Sequence, residues 1–179
     1  ILAHHARLWP WIPFYRETLT DKGGLNPDIY SDIQIGDFQI KVAHDIYMNE
    51  AYLDTIFDRV IHSKMRKDKG YKYSDLGYYI LKEIIENQED ASLKDMVQDR
   101  IYEDLGANFT SYHPLEKFDI NTIVPTENDT YFRNQLLRGY VHDPGATMQN
   151  AIGGHAGLFS NANDLAKLMQ MYLNGGEYA

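Results

Sequence analysis

The 179-residue chain contains no cysteine. Disulfides and thiolate metal sites are therefore excluded, and the redox compartment leaves no mark on the sequence. No apolar run approaches the roughly 18 residues a membrane span needs. Basic residues are scarce: 17 Lys and Arg stand against 26 Asp and Glu, for a net charge of −9 and a pI near 5.1. Such a balance disfavours nucleic acid, whose phosphates demand a basic face. Several catalytic signatures are also missing: no G-x-S-x-G elbow, H-E-x-x-H zinc helix, phosphate-binding glycine loop or dinucleotide fingerprint occurs. The seven histidines are scattered, and only His4 and His5 are adjacent. A metal set drawn from His142, Asp143 and His155 is geometrically possible but has no ligand spacing behind it, so neither metal nor cofactor is implied. There is no internal repeat and no low-complexity tract.

What remains is the make-up of an ordinary globular domain, 44% hydrophobic and 24% charged, and one domain over residues 1–179 is expected. Fourteen tyrosines point to a tyrosine-rich core, with a sugar- or peptide-binding surface as the other use of aromatic area. The opening "ILAHHARLWPW" has neither an initiator Met nor a signal peptide, as expected of a piece of a longer polypeptide.

Along the chain, "LWPWIPFYRETLTDKGGLNPD" carries three prolines and a Gly pair and reads as loop. "DIQIGDFQIKV" alternates about Gly36-Asp37, which predicts a small hairpin with a two-residue turn there. From Glu50 to His62, Leu53, Ile56, Phe57, Val60 and Ile61 recur at helical spacing. "KYSDLGYYILKEIIE" predicts a second helix, with Leu76, Ile80, Leu81 and Ile84 buried and Ser74 or Asp75 capping its free amides. Ser92 and Asp95 predict the start of a third, which buries Leu93, Met96, Val97, Ile101 and Leu105 and stops at Gly106. The stretch from Ser111 to Gly157 has no long period and reads as loops with short elements, often functional in a compact domain. A last helix over Asn163 to Leu173 should bury Leu165, Leu168, Met169 and Tyr172.

Four stretches carry a resemblance. "KYSDLGYYILKEIIE" resembles the Y-x-N motif, followed by L-G-Y and an amphipathic helix, of the serine β-lactamase and penicillin-binding-protein superfamily, in its class C and esterase branch. "ILAHHARL" resembles that family's L-L-T-H-x-S-G-L segment, and "GGHAGLFSNANDLAKLMQMYLNGG" its G-x-x-G-L-x-S-T-A-x-D-L helix. "VPTENDTYFRNQLLRGYVHDPGA" resembles the P-T-E…F-R…G-x-V-H-D stretch of one subgroup. They stand in the family's order and cover most of the chain. "HARLWPWIPFYRETL" and "PTENDTYFR…YVHDPGA" are further similar to the β-lactamase-like region behind a glycoside hydrolase family 3 β-N-acetylglucosaminidase in Bacteroidetes-type proteins.

The departures from that pattern are informative. The family's nucleophile lies in S-x-x-K, where the lysine one turn on can take the serine's proton. No serine here has Lys at the fourth position, and the resemblance places that motif just upstream of Ile1. "HAG" at His155 to Gly157 has the letters of the third motif, but the helix that follows it implies that the third motif lies beyond Ala179. Arg7 occupies the place of a family glycine, which predicts a different backbone turn. Asp75 stands where the family has asparagine. An amide donates a hydrogen bond to a carbonyl, whereas an ionised carboxylate only accepts. That weakens β-lactam turnover and leaves an amine-bearing substrate, a protonated carboxyl or a degenerate site.

The resemblance thus implies a mainly α chain: the helical subdomain of the α+β β-lactamase/transpeptidase-like fold, with one small β-hairpin. It assigns Tyr73 and Asp75 to catalysis; Ser74, His155 and the proline-stiffened Trp9 and Trp11 are the candidates for the substrate side. The rival assignments are a helix cap and packing for 73–75, a tight backbone turn at His155, and loop packing for the tryptophans. The implied activity is acyl transfer through a serine ester on a peptide, ester or cell-wall fragment in the bacterial envelope or periplasm, or secreted. The rest of the same polypeptide, including a glycosidase domain, is the implied partner, and this piece alone is expected to be inactive. A non-catalytic module that positions glycan or peptidoglycan, or a purely structural module, is the alternative.

Overall fold

The computed structural model describes residues 1–178. Among the described residues six α-helices and five strands follow one another: α1 (Phe14–Glu17), β1 (Tyr30–Ser31), β2 (Phe38–Ala43), β3 (Ile46–Asn49), α2 (Tyr52–Ile61), α3 (Leu76–Glu89), α4 (Leu93–Val97), β4 (Pro125–Asp129), β5 (Gln135–Arg138), α5 (Pro144–Thr147) and α6 (Ala162–Leu173). Helix accounts for 34% of residues and strand for 15%, in two small sheets. The expectation of a mainly α chain is therefore wrong: the chain is a mixed α and β structure.

The first sheet is antiparallel in the order β1-β3-β2, with Tyr30 opposite Met48 and Lys41 opposite Tyr47. The predicted turn at Gly36-Asp37 is present as a single Ile35–Phe38 bridge. The hairpin proper lies one turn later, about His44-Asp45, where Asp45 takes a left-handed φ of 49°. The second sheet, β4 with β5, lies inside the segment read as loops. Its strand "PTEND" is polar and opens on proline, so alternation gave no sign of it.

One core gathers Val42 and Met48 from the first sheet, Ile56 and Val60 from α2, Leu76 from α3, and Phe132, Leu137 and Met148 from the later segment. Of the 14 tyrosines, Tyr15, Tyr30, Tyr79, Tyr102 and Tyr112 are buried and Tyr71, Tyr73, Tyr131, Tyr172 and Tyr178 exposed. A tyrosine core thus explains only part of the aromatic content. A smaller cluster of Tyr102, Leu105 and Ala107 receives Leu168 from α6. Only Leu168 of the predicted α6 stripe is buried; Leu165, Met169 and Tyr172 stay exposed because nothing in the described residues packs across them. Ile84 of α3 and Ile101 are likewise exposed rather than buried. Ser92 caps α4 as expected, its hydroxyl accepting from the Asp95 amide at 3.1 Å. Among the described residues no helix is long and apolar enough to cross a membrane.

Candidate active site

The start of α3 is stitched to the N-terminal segment. The Ser74 hydroxyl donates to the Trp9 carbonyl at 2.6 Å, the Ser74 amide to His4 Nδ1 at 3.2 Å, and the Asp75 amide to the Pro10 carbonyl at 2.8 Å. Neither side chain caps the helix. Asp75 holds the cap position in helical backbone geometry without a side-chain hydrogen bond to the first turn, and Ser74, 4% exposed, is spent on Trp9. Arg7 takes a left-handed φ of 60°, a conformation that glycine adopts more readily.

Between these anchored neighbours Tyr73 stands out, 56% exposed, its ring packed on His4 with centroids 4.5 Å apart. The phenol makes no hydrogen bond with the described residues. Its pKa is raised above the ordinary tyrosine value, chiefly by the charge of Asp75, with burial, Tyr78, Tyr71 and Asp143 adding to it. Asp75 is itself raised: burial disfavours its charge and Asp143 adds repulsion, while His155 and His4 oppose both. No described residue donates a hydrogen bond to its carboxylate.

His155 arrives on the Gly153-Gly154 loop, which lies against α3 so closely that a Cβ at Gly154 would stand 2.7 Å from the Tyr78 carbonyl. Its ring stacks on Tyr79, with centroids 4.9 Å apart and planes 18° apart. Nε2 donates to Asp143 Oδ1 at 3.2 Å, the side chain is 4% exposed, and Nδ1 is buried without a partner. Asp143 also N-caps α5, Oδ1 accepting from the Ala146 amide at 2.7 Å. Burial pushes the Asp143 carboxyl up, but His155, the Ala146 amide and nearby His142 reverse this and hold it below the usual range. Asp75, Asp143, His155, Tyr79 and Trp11 border one space of about 30 Å³, room for a water or two. Among the described residues no three His, Cys, Asp or Glu side chains form a metal-binding group.

The structure thus brings Asp75 and His155 together and sets Tyr73 beside them. Trp11, 52% exposed, borders the Asp75 space; Trp9, 50% exposed, contributes its carbonyl to Ser74 rather than its ring to that space. Tyr79 was missed as a member of this cluster, and Asp143 was named beside His155 only in a possible metal set. The Asp-Pro dipeptide is a cap-then-N1 helix start and was the one available signal for Asp143. Behind Asp143 stands Arg133, also missed. Its guanidinium is fully buried and donates to Asp129 Oδ2 at 2.7 Å, the Val141 carbonyl at 2.8 Å and the His142 carbonyl at 2.6 Å. It fixes the backbone from which Asp143 reaches His155.

Comparison with known proteins places the chain. The Beta-lactamase family model matches residues 16–179. An Escherichia coli K12 protein described as "Putative D-alanyl-D-alanine carboxypeptidase" is 39% identical over 118 residues, 59% of this chain and 27% of that protein. The chain therefore spans about a quarter of that relative's length. The octameric penicillin-binding protein homologue of Pyrococcus abyssi matches in fold with a TM-score of 0.55 at 22% identity, covering 98% of this chain and 34% of that one. The D-amino acid amidase of Ochrobactrum anthropi SV3, complexed with D-phenylalanine, matches at 0.51 and 16% identity, covering 97% and 43%. With a family-model match over nearly its whole length, this chain belongs to the beta-lactamase family.

Proposed function

We propose that this chain contributes the tyrosine side of a serine acyl-transfer site whose serine and lysine come from elsewhere in the same polypeptide. The observation that carries this is the pairing at the start of α3: an exposed Tyr73 phenol beside an Asp75 carboxylate with no donor from the described residues. A free tyrosine, with pKa near 10, is already a weak base at neutral pH, and Asp75 makes its phenolate harder to form. An ammonium placed between them reverses this, because one positive charge satisfies the carboxylate and favours the phenolate. The S-x-x-K lysine implied by the resemblance is that ammonium. Tyr73 then takes the proton of the serine hydroxyl as its oxygen attacks a carbonyl, and returns it to the leaving group; water later cleaves the ester. Backbone amides outside this chain supply part of the oxyanion stabilisation.

The substrate we infer is a peptide, amide or ester, in keeping with the carboxypeptidase and amidase names of the relatives, and a cell-wall fragment fits an envelope location. The intact protein, on the sequence similarity alone, carries this region behind a family 3 β-N-acetylglucosaminidase. Residues 1–179 form one unit that lacks the nucleophile and turns over nothing alone. The test is a fluorophosphonate or penicillin label on the full-length protein. One serine adduct is expected, with Tyr73→Phe labelling at least about a hundredfold more slowly; no label on an intact, folded parent refutes the reading. The half-exposed Trp9 and Trp11 favour a second reading, a glycan-positioning module. It requires glycan or muropeptide binding that survives loss of the serine and disappears with Trp11→Ala.

A further inference from the structure

A second cleft shares no residue with the Tyr73–His155 cluster. It lies beside β2 and β3, under the turn at residues 113–116, and encloses about 450 Å³. That falls within the roughly 300–1,000 Å³ of small-ligand sites. Three features meet in its walls. The first is a cation that forms no ion pair with the described residues. Lys41 on β2 stands opposite Tyr47 on β3, with Nζ 5.5 Å from the Tyr47 ring centre and 5.9 Å from that of Tyr140. Burial works against its charge and the two tyrosines outweigh burial. The second is apolar area from Leu115, Val141 and Phe159.

The third is a strained wall. Of the eight non-glycine residues with left-handed backbone, His113, Asn150 and Ala151 line this one cleft, with φ of 47°, 57° and 55°. Alanine has no polar side chain to offset that conformation, and such strain gathers where a clamp is built in advance. The wall is locked from both sides. His113 Nε2 donates to the Asn150 carbonyl at 2.6 Å, and Gly157, at φ 120°, seats against the Ala151 carbonyl where any Cβ would collide.

We propose that this cleft binds a small carboxylate with an apolar or aromatic body. Lys41 takes the carboxylate between Tyr47 and Tyr140, while Leu115, Val141 and Phe159 take the body. A doubly charged phosphate fits worse, because among the described residues the site offers one unpaired cation and its rim carries the Glu116 carboxylate. Glu116 is itself tied to Lys94 and His113, so the His113 ring is not available to a second anionic charge. The site needs no serine chemistry and is independent of the acyl-transfer reading.

The test is calorimetric titration of the full-length protein with N-acetylphenylalanine and with its uncharged amide. A charge-assisted contact is worth about tenfold or more in affinity. The acid should therefore bind at least about tenfold more tightly than the amide. Lys41→Met, at an exposed position and with an unchanged melting temperature, should bring the acid down to the level of the amide. Tyr73→Phe should leave both affinities unchanged. The proposal is overturned if neither ligand binds, if acid and amide bind alike, if acid binding survives Lys41→Met, or if Tyr73→Phe abolishes it.

Discussion

Arg133→Met removes the fork that joins β4 to the loop carrying Asp143, and the structure lets the loss be sized. Asp129 and Arg133 are both fully buried and paired at 2.7 Å. Removing one partner of such a pair costs about 3–5 kcal/mol, because the remaining charge is left buried and uncompensated. The Val141 and His142 carbonyls also lose their donors, so the upper half of that range is expected at neutral pH. In a domain of this size each kcal/mol moves the melting temperature by about 2–4 °C, giving a fall of roughly 8–20 °C by thermal denaturation. The acid limb gives a second reading. Burial raises the Asp129 carboxyl, but Arg133 and the Tyr131 and Phe132 amides hold it below the usual range. A carboxyl lowered in the fold contributes stability that is fully present above its unfolded value, near 3.9, and is lost as pH falls through the folded value. In Arg133→Met the contribution of the guanidinium is gone, so the deficit against wild type should shrink as pH falls below about 4. Asp129→Asn combined with Arg133→Met keeps the oxygen that accepts from the two amides and removes the stranded charge, so it should lose less than the single variant. A single-variant loss below about 1 kcal/mol, or a double variant no better than the single, refutes the clamp.

Asp75→Asn should lower the pKa of Tyr73, followed by ultraviolet titration of tyrosinate against a Tyr73→Phe control, because the Asp75 charge is the main cause of the rise; no movement would separate the two groups. Since Asp75 is raised in the fold, its ionisation costs stability above its folded value, and the same substitution should stabilise the protein at pH 7 by under about 1 kcal/mol. Ser74→Ala removes a buried donor to Trp9 and should cost about 1–3 kcal/mol by denaturant unfolding; a neutral result would mean that the N-terminal stitch holds without it. Gly154→Ala drives a methyl into the Tyr78 carbonyl and should cost about 1–3 kcal/mol, with a matching loss of labelling in the full-length protein. Arg59→Ala breaks only a half-exposed pair with Glu17 and should cost less than about 1 kcal/mol.

The elements that sequence periodicity located are those where one face meets the core. α2 and α3 start and stop within a few residues of the predicted bounds, and the Ser92 cap was legible because its hydroxyl and Asp95 lie at capping distance in sequence. Periodicity failed where burial is supplied by partners that are distant or absent. α6 has the helical pattern of a buried element, yet only Leu168 meets the small cluster, so amphipathicity reported a helix and overstated its cover. β4 was invisible because its residues are polar and it opens on proline, its last residue Asp129 pairing with Arg133 instead of adding apolar area. The motif singled out the tripeptide 73–75, but not the contacts that each of its residues makes. Ser74 became the structural member because its hydroxyl faces Trp9, and this depends on a chain segment some 65 residues away. Asp143 and His155 could not be paired from spacing, since the contact is made by a loop folding back over α3.

That long-range stitch has a kinetic corollary. Ser74 and Asp75 take their orientation from Trp9 and Pro10, so the exposed Tyr73 phenol is set in place only after a large ring of polypeptide has shut, a step whose entropic penalty grows with ring size. The tyrosine should accordingly be set late in folding and released early on unfolding. Slow exchange at the Asp75 amide would then report that the ring is shut, whatever the helix that follows it is doing.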